Sequence, residues 1–503
     1  MTRILKKSTL YFLLFPIATV LILAAANLGE IEIRVIWFPI LFALVFSLIF
    51  FLLGWVVVRD LQRASLIAFI FSLFGLTYGH FFNFMKGRTI GNWVIGTHFY
   101  SVLIYGLLTL LCLYICIYKI HNLENINLIG NIILLSLIIF NIGNISIYQI
   151  NREVLAAQNI SSISNTFLSP DPEKPLPDVY FIILDKYARS DALEEYYEYD
   201  NSEFIRMLET LGFFVPDCSR SNYAFTVMSL SSQLNMAYVE DLTDSPSLET
   251  TRALIKNNVV HSAFEELGYT TIAFEMGFSW GNMTWFDQYY DELPNNIDQW
   301  SIDPFMILYM KTTVATFLFE GSSDIGEQIT RTDFEEKADR TKLILEVLPE
   351  IPFLPGPKFI HAHIITPHPP YLFNPDGSLV PDPEEVDPKI GYKNQLAYIE
   401  PRIVDVVRQI LRRSKVPPII IIEGDHGFGK KYVTSNLLAL YLPDGGAEGL
   451  DDHMTLVNIF PHIFNTYFGT DLDYLPNISY THTDDWYESI LQEEWDPKCW
   501  GME

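Results

Sequence analysis

Basic residues are scarce in most of this 503-residue chain. The whole chain carries a formal charge of −27, and its first 150 residues, with nine Lys or Arg and four Asp or Glu, carry +5, so the remaining 353 residues carry −32. Nucleic-acid backbones are bound by Lys and Arg side chains. The acidic part therefore argues against nucleic acid as a partner, and the change of charge indicates two parts that face different solvents, lipid and water.

Cysteine is scarce as well, with four residues in the chain. Cys112 and Cys116 lie one turn apart in an apolar run, where packing is the simplest role for them. Cys218 and Cys499 lie in the acidic part and could pair if that part is exported to an oxidising compartment. The sequence leaves open whether these two cysteines meet.

The first part is rich in long apolar runs. Each is about 17–24 residues, the length that crosses a bilayer as a helix. The runs are Leu10–Ala26, Val35–Val58, Ala64–Phe82, Tyr100–Ile117 and Leu128–Ile147. A cleaved signal peptide accounts for at most the first run, and five in succession favour membrane spans over buried helices of a soluble protein. The sequence predicts a transmembrane bundle of five helices over residues 1–148.

The basic residues of the short loops give the orientation. Six lie on the side of the N-terminus and four on the other side, counting Arg152 just after the fifth span. An excess of Lys and Arg marks the cytoplasmic side of a membrane protein. The sequence therefore predicts a cytoplasmic N-terminus, and five spans then place everything after residue 150 outside the cytoplasm.

Residues 149–177 are rich in Ser, Asn and Pro and are predicted to be a linker. From residue 178, short apolar runs alternate with helical stretches, and Pro401 is expected near a helix break or an offset helix start. The predicted strands include residues 178–184, 270–276, 358–366, 417–424 and 437–443. Near-continuous apolar strands alternating with helices are typical of an α/β domain with a mainly parallel sheet, predicted here over residues 178–503.

Polar residues follow three of these strands. Asp185 comes after the first, His368 lies in a PHPPY stretch after residues 358–366, and Asp425 and His426 end the IIIIEGDHG stretch. Each has an ordinary interpretation when taken alone, as a helix cap, a rigid loop or a turn. Ligands bind at the carboxyl ends of strands in parallel sheets, so we expect the three groups to line one cleft.

Two carboxylates and an imidazole are a plausible ligand set for one divalent metal. Mixed oxygen and nitrogen ligands suit Zn²⁺ or Mn²⁺, with Ca²⁺ or Mg²⁺ as further possibilities. Three protein ligands leave a coordination position open, as in catalytic metal sites. The stretch at 219–236 is dense in hydroxyl side chains that could supply a nucleophile.

These motifs resemble the sulfatase-like branch of the alkaline phosphatase superfamily, with an acid after the first strand, a Thr 41 residues later, a PHPPY histidine and a late DHG. Membrane spans before an exported catalytic domain further resemble the lipoteichoic acid synthases and phosphoethanolamine transferases of bacteria. The resemblance implies a sulfatase-like (alkaline phosphatase-type) fold. It also implies a multi-pass protein of the bacterial inner membrane with a periplasmic catalytic domain.

The resemblance also assigns roles to individual residues. It makes Thr226 the nucleophile and a metal ligand beside Asp185, Asp425 and His426. It gives His368 contact with the transferred phosphoryl group or an acid–base role. The weaker candidates for substrate contact are His361, His363, Ser229 and His453.

Two departures from the related families bear on the substrate. CSRSN at Cys218 is not the C-x-P-S-R motif of arylsulfatases, so a formylglycine-dependent sulfatase is disfavoured. The Pro-Cys that usually follows the nucleophile segment of phosphoethanolamine transferases is missing, and this leaves the headgroup open.

The resemblance predicts a metal-dependent transferase. It would move a phosphoryl-linked headgroup from a membrane phospholipid to a glycan, polymer or lipid acceptor, through a phosphothreonine intermediate. One alternative is a membrane-anchored sulfatase-like phosphodiesterase or other hydrolase. Another, from a different class, is a non-catalytic membrane binding protein on the same fold.

Overall fold

The structure is a computed structural model of the whole chain. It describes residues 6–28, 33–90, 93–120, 123–163, 168, 170, 175–276, 283, 286–290, 304–318, 324–482, 489–491 and 499.

The longer helices fall into two groups along the chain. Those before residue 164 are α1 (Tyr11–Ala26), α2 (Trp37–Val58), α3 (Leu61–Met85), α4 (His98–Tyr118) and α5 (Glu124–Ile163). Those after it are α6 (Ser202–Thr210), α7 (Thr226–Asn235), α8 (Leu248–Lys256), α9 (Val259–Glu266), α10 (Pro304–Thr312), α11 (Asp324–Val347), α12 (Pro388–Arg413) and α13 (Ile459–Tyr467).

Four helices of the described chain are long and apolar enough to cross a membrane: α2, α3, α4 and the Glu124–Tyr148 part of α5. The helix α1 covers the first predicted span but has only 16 residues. At 1.5 Å per residue it is shorter than a hydrocarbon core about 30 Å thick. The predicted N-terminal helical region is therefore confirmed, whereas the count of five spans is not.

The chain divides into two compact units. The first comprises residues 1–151 and 297–330, and the second comprises residues 152–296 and 331–503. The predicted boundaries differ from this division mainly at residues 297–330, which the sequence places inside the α/β domain. In addition, α5 continues without interruption from its apolar part to Ile163, into the predicted linker.

The second unit is built on a six-stranded sheet. The first unit contains a short antiparallel pair of strands, β1 (Thr89–Ile90) and β2 (Trp93–Val94). The strands of the six-stranded sheet are, in chain order, β3 (Val179–Leu184), β4 (Thr270–Phe274), β5 (Gln288–Tyr290), β6 (Lys358–Ile364), β7 (Ile419–Glu423) and β8 (Leu438–Tyr441). The spatial order is β5-β4-β6-β3-β7-β8, and every pair is parallel except β7 with β8. The predicted mainly parallel sheet is confirmed.

The three central strands are buried on both faces, as their continuous apolar sequences require. Every residue of β3, β6 and β7 is buried. Alternate side chains of β3 enter two separate apolar cores, with Tyr180, Ile182 and Leu184 in one and Val179, Phe181 and Ile183 in the other. This burial fixes the register of the central strands and thereby the positions of the residues after each strand end.

The helix α12 corrects one expectation. Pro401 lies inside a continuous helix from Pro388 to Arg413, not at a break. Pro388 occupies the first helical position, where proline costs no hydrogen bond, and Asp387 caps the helix by accepting from the N–H groups of Lys389 and Ile390. Nearly every apolar residue of one face is buried, so packing offsets the hydrogen bond that Pro401 removes.

Candidate metal centre

The carboxyl ends of β3 and β7 bring three ligand side chains together. Asp185 follows β3, while Asp425 and His426 follow β7, its parallel neighbour. Each of the three offers one ligand atom, and these atoms lie within 4.8 Å of one another. All three residues are buried. The pairing of β3 with β7 thus brings Asp185 and Asp425, which are 240 residues apart in the sequence, into one site.

The backbone beside Asp185 holds the other carboxylate in place. The N–H of Lys186 donates to Asp425 Oδ1 at 2.8 Å. Lys186 adopts a left-handed conformation, with φ of 64°, which is unusual for a residue other than glycine and is typical of functional turns. Its carbonyl accepts from the Tyr392 hydroxyl at 2.7 Å, so α12 stabilises this turn.

The imidazole of His426 is oriented for metal binding. Its Nδ1 lies 2.7 Å from the carbonyl oxygen of Gly427 and donates to it, which leaves Nε2 as the atom with a free lone pair. This Nε2 lies 3.7 Å from Asp425 Oδ2. A metal-ligating histidine usually donates its other N–H to a carbonyl or carboxylate in this way.

Glycine is required on both sides of this ligand pair. A Cβ at Gly424 would collide with the carbonyl oxygen of Tyr187, and one at Gly427 would collide with that of Tyr432. The close backbone approach brings the loops after β3 and β7 together. The two glycines are therefore part of what forms the site.

Two buried carboxylate oxygens still need a partner. Asp185 Oδ1 and Asp425 Oδ2 have no hydrogen-bond partner among the described residues. Burying unpaired anionic oxygen is costly, and a divalent cation would satisfy both atoms. The two aspartates and one histidine therefore fit a divalent metal, with oxygen and nitrogen donors of the type that binds Zn²⁺ or Mn²⁺.

Three histidines surround Asp185. Burial favours its protonated form, but the nearby His368, His363 and His426 outweigh this effect and lower the pKa of Asp185 to about 2. His363 Nε2 lies 3.4 Å from Asp185 Oδ2. His363 is itself buried in the sheet, so it contacts a predicted metal ligand and not an open surface.

The loop that carries His368 is held by α12. Its Nδ1 lies 2.5 Å from the carbonyl oxygen of Pro369, which leaves Nε2 free for another partner. Gln395 on α12 donates to the carbonyls of Pro367 and His368 at 3.0 and 3.1 Å and accepts from the N–H of Leu372. His368 is half-buried, and its charged form is one of the groups that lower the pKa of Asp185.

Thr226 is the first residue of α7 and is half-buried. The chain before it is hydrogen-bonded to residues 434–436, which follow Asp425 and His426 in the sequence. The N–H of Ser221 donates to the carbonyl of Thr434, and the hydroxyl of Ser219 donates to the carbonyl of Asn436. Ser229, one turn further along α7, is buried, and its hydroxyl has no partner among the described residues.

A buried polar pair links α7 to β7. Gln233 donates to Glu423 at 2.8 Å, and both side chains are fully buried. Burial raises the pKa of Glu423 well above its usual value. The helix that begins with Thr226 is thus fixed to the strand that ends in Asp425.

Sequence reasoning missed the segment 434–436, which connects the parts of the site. Ser435 accepts from the N–H of Arg189, just after β3, and pairs as an isolated bridge with Arg220, just before α7. Asn436 is fully buried and donates to the carbonyl of Gly424 at 2.6 Å. Thr, Ser and Asn in a loop have no distinctive pattern, so nothing in the sequence marks this role.

Two further predicted residues lie apart from the metal ligands. His361 is buried edge-on against Phe181, and burial, with His363 and His261 nearby, lowers its pKa to about 3. His453 lies in a surface turn, where it contacts Asp451. Neither belongs to the group of possible metal ligands found among the described residues.

Cys218 and Cys499 form a disulfide bond, which answers the question that the sequence left open. It joins the segment shortly before α7 to the C-terminal end of the chain. Such bonds persist in oxidising compartments.

No protein-family model and no curated protein sequence matches the chain. Among solved structures, it is similar to the zinc complex of the C-terminal periplasmic domain of EptC from Escherichia coli, with 11% identity and a TM-score of 0.41, over 62% of this chain and 87% of that one. It is also similar to the integral membrane lipooligosaccharide phosphoethanolamine transferase A of Neisseria meningitidis, with 11% identity and a TM-score of 0.39, over 92% and 95%.

A third similar structure is a phosphonate monoester hydrolase of Agrobacterium radiobacter, with 12% identity and a TM-score of 0.36, over 61% of this chain and 80% of that one. Phosphoethanolamine transferases are one of the two membrane families that the sequence motifs resemble. At identities of 11–12%, these structures do not assign a function to this chain. The proposal for its function is therefore based on its own side chains.

Proposed function

We propose that the chain is a membrane-anchored, metal-dependent enzyme of the bacterial inner membrane. It transfers a phosphoryl-linked headgroup from a phospholipid to a glycan, polymer or lipid acceptor on the periplasmic side. The observation that carries this proposal is the buried group of Asp185, Asp425 and His426, in which two carboxylate oxygens lack a hydrogen-bond partner among the described residues. A buried metal site at the carboxyl edge of a parallel sheet is where α/β enzymes place catalysis.

Thr226 is the proposed nucleophile. A divalent cation held by Asp185, Asp425, His426 and the Thr226 hydroxyl would lower the pKa of that hydroxyl and neutralise charge on the phosphoryl oxygens. Thr226 Oγ1 attacks the phosphorus in line, the bond to the glycerol oxygen breaks, and diacylglycerol leaves with a proton. Thr226 then carries the headgroup as a phosphodiester.

His368 is the proposed partner of the phosphoryl group. Because its Nδ1 donates to Pro369, its Nε2 can accept or return a proton, or contact a phosphoryl oxygen when protonated. The acceptor hydroxyl displaces the headgroup from Thr226 and restores the free side chain. His361, His363, Ser229 and His453 remain weaker candidates for substrate contact; the burial of His363 and Ser229 favours positioning roles for these two.

The test is an adduct on Thr226. The full-length protein with Zn²⁺ or Mn²⁺ is incubated with phospholipid labelled in its headgroup, and the peptide that contains Thr226 is analysed by mass spectrometry. We expect release of diacylglycerol with the label on Thr226, and no adduct in Thr226→Ala. Thr210→Ala, at an exposed helix end, is the matched control and should behave like the wild type.

The outcomes separate the three classes of function. Label that moves to an added acceptor supports a transferase, whereas label that appears only in water-soluble products identifies a hydrolase. Bound metal without any turnover would identify a binding protein. Adduct formation that survives in Thr226→Ala would show that another residue is the nucleophile.

A further inference from the structure

One segment of the chain belongs to the first compact unit, although in the sequence it lies between elements of the α/β domain. Residues 304–318, named here the docking segment, lie between β5 and α11 in the sequence. They consist of α10 and a short 3₁₀ helix, Val314–Leu318. The segment lies within the first compact unit, with residues 1–151.

The docking segment is part of the apolar core of the bundle. Its buried apolar residues are Phe305, Met306, Tyr309 and Met310, and they pack with Val20, Leu21, Ala24, Ile36, Ala43 and Leu76. Tyr309 is fully buried, and its hydroxyl lies 2.9 Å from Thr19 Oγ1. Because Thr19 donates to the carbonyl of Pro16, Tyr309 is the donor of this bond. The docking segment is thus held in the bundle both by apolar packing and by the hydrogen bond between Tyr309 and Thr19.

A glycine lets the two backbones touch. A Cβ at Gly79 in α3 would collide with the carbonyl oxygen of Lys311 and would lie 2.8 Å from the Cα of Thr312. Close approach of this kind needs a residue without a side chain. Beside it, the ring of Phe317 stacks on Tyr78, with centroids 5.1 Å apart.

The docked end of the bundle is the one from which the chain leaves for the α/β unit. The contacts lie where α1 ends, α2 begins and α3 ends. Ile138 and Ile145, in the later half of the apolar Glu124–Tyr148 part of α5, pack against the same core. Large aromatic residues are exposed at the adjoining helix ends and loops, namely Trp37, Phe38, Trp93 and Phe99. Exposed aromatic residues in such positions mark the membrane–water interface.

The docking segment also presents apolar side chains outward. Leu308 and Val314 are 38% and 40% exposed. Outward-facing apolar residues on an element that packs at a bundle end would lie against lipid. The segment therefore has one face for the bundle and one for the bilayer interface.

We propose that the docking segment is a second membrane attachment of the catalytic chain, which directs activity to substrates in the bilayer. The chain passes between the two units three times, near residues 151, 296 and 330. Between the second and third crossings the chain returns to the bundle through the docking segment, so three chain connections join the two units. This inference rests on the proposed function, because it concerns access of that site to lipid.

Two variants undock the segment from opposite sides. Gly79→Leu places a side chain where the backbone of residues 311–312 lies, and Tyr309→Ala removes the largest buried side chain of the segment while the five N-terminal helices keep their sequence. The control for the first is Gly106→Leu in α4, where a Cβ meets no atom within 4 Å. The control for the second is Tyr474→Ala, at an exposed tyrosine of the second unit.

Docking is measured without reference to activity. Lys311 is an exposed trypsin site in the packed helix α10. The full chain, in vesicles with its second unit outside, is treated with trypsin, and the cut after Lys311 is followed. We expect both variants to be cut about ten-fold faster or more, because proteolysis follows the population of the open form, and both controls to match the wild type.

Activity is measured on two donors: headgroup-labelled phospholipid in the same vesicles, and a soluble aryl phosphodiester. The inference predicts that the undocked variants lose most lipid turnover while they keep the soluble reaction. Unchanged lipid turnover in variants that trypsin cuts rapidly after Lys311 would overturn it, as would equal loss on both donors. Slow cutting of both variants would show that the segment does not depend on these contacts and would also overturn it. A wild type inactive on both donors would instead contradict the proposed function, and trypsin would still report docking.

Discussion

At the scale of single residues, His363 illustrates how a side chain outside the ligand set supports it. Its Nε2 lies 3.4 Å from Asp185 Oδ2, and the residue is almost entirely buried. A buried imidazole can orient a carboxylate toward a metal because neither group has room to turn. The residue was predicted as a weak substrate contact, and its burial makes it a candidate for positioning Asp185.

We expect His363→Gln to weaken metal binding. The loss of this contact should lower Zn²⁺ affinity by about 10–100-fold, the usual effect of removing a partner of a metal ligand. Isothermal titration of the metal-free protein measures this. His453→Gln changes a histidine in a surface turn and should leave the affinity as it is. Equal affinities in all three proteins would show that Asp185 is oriented without His363.

At the scale of elements, one buried polar pair joins α7 to β7. Gln233 on α7 and Glu423 on β7 hydrogen-bond to each other and are both fully buried. Removing one partner of a buried pair leaves the other without a hydrogen bond, which costs more than the bond itself contributes. The pair therefore connects the helix of the proposed nucleophile to the strand that precedes two of the proposed metal ligands.

Gln233→Leu should destabilise the second unit by about 1–3 kcal/mol, because Glu423 would lose its only hydrogen-bond partner in the described chain. Adduct formation on Thr226 should also slow, since α7 begins with that residue. Urea unfolding and adduct kinetics measure the two effects. Glu423→Gln is the matched control, because two amides can still bond to each other. If both variants unfold alike, the pair does not fix α7.

The disulfide acts on a larger element, the chain between its two ends. Cys218 and Cys499 are 281 residues apart, and closing so long a loop lowers the entropy of the unfolded chain. We expect Cys218→Ala with Cys499→Ala to lower the free energy of unfolding by about 2–5 kcal/mol, the usual cost of removing a native disulfide.

Calorimetry with and without dithiothreitol tests the disulfide. The reductant should lower the melting temperature of the wild type and leave that of the double variant unchanged. Cys112 and Cys116 serve as an internal control, since both are free cysteines in α4 and stay in place in each protein. A wild type that melts at the same temperature in reductant would contradict the prediction.

At the scale of the whole molecule, local patterns in the sequence were enough to predict the mainly parallel sheet and to group the side chains proposed as metal ligands. Continuous apolar strands predicted the parallel sheet, and the rule that strand ends carry ligands brought Asp185 to Asp425 and His426. Pro401 was misplaced because local propensity does not include the packing of α12. Gln395, Gln233 and segment 434–436 were missed for a related reason: their roles come from contacts between positions far apart in the sequence. The sequence did not assign the docking segment to the bundle for the same reason, since its apolar residues resemble those of any buried helix.

The pH dependence of folding also belongs to the whole molecule, because buried groups act in opposite directions. Burial lowers the pKa of His361 to about 3 and that of His261 to about 4. These two stabilise the fold above their usual pKa, near 6.5, and lose this effect as the pH falls through the folded values. Glu400 behaves in the opposite way. Burial raises its pKa from 4.5 to about 7, although Tyr187 and Tyr199 donate to it.

Glu400 therefore stabilises the folded state below pH 4.5, and this contribution is lost as the pH rises through about 7. In the wild type, the opposite pH dependence of the two histidines hides the contribution of Glu400 to the free energy of unfolding. The wild type is therefore compared with Glu400→Gln, in which the side chain cannot ionise. We expect the variant to unfold like the wild type at pH 5 and to be more stable at pH 8, by up to about 3 kcal/mol. Chemical denaturation at both values measures this difference. Glu209→Gln, at an exposed position of α6, should show no such change. A variant less stable than the wild type at pH 8 would mean that the ionised carboxylate, held by the two tyrosines, is the stable form.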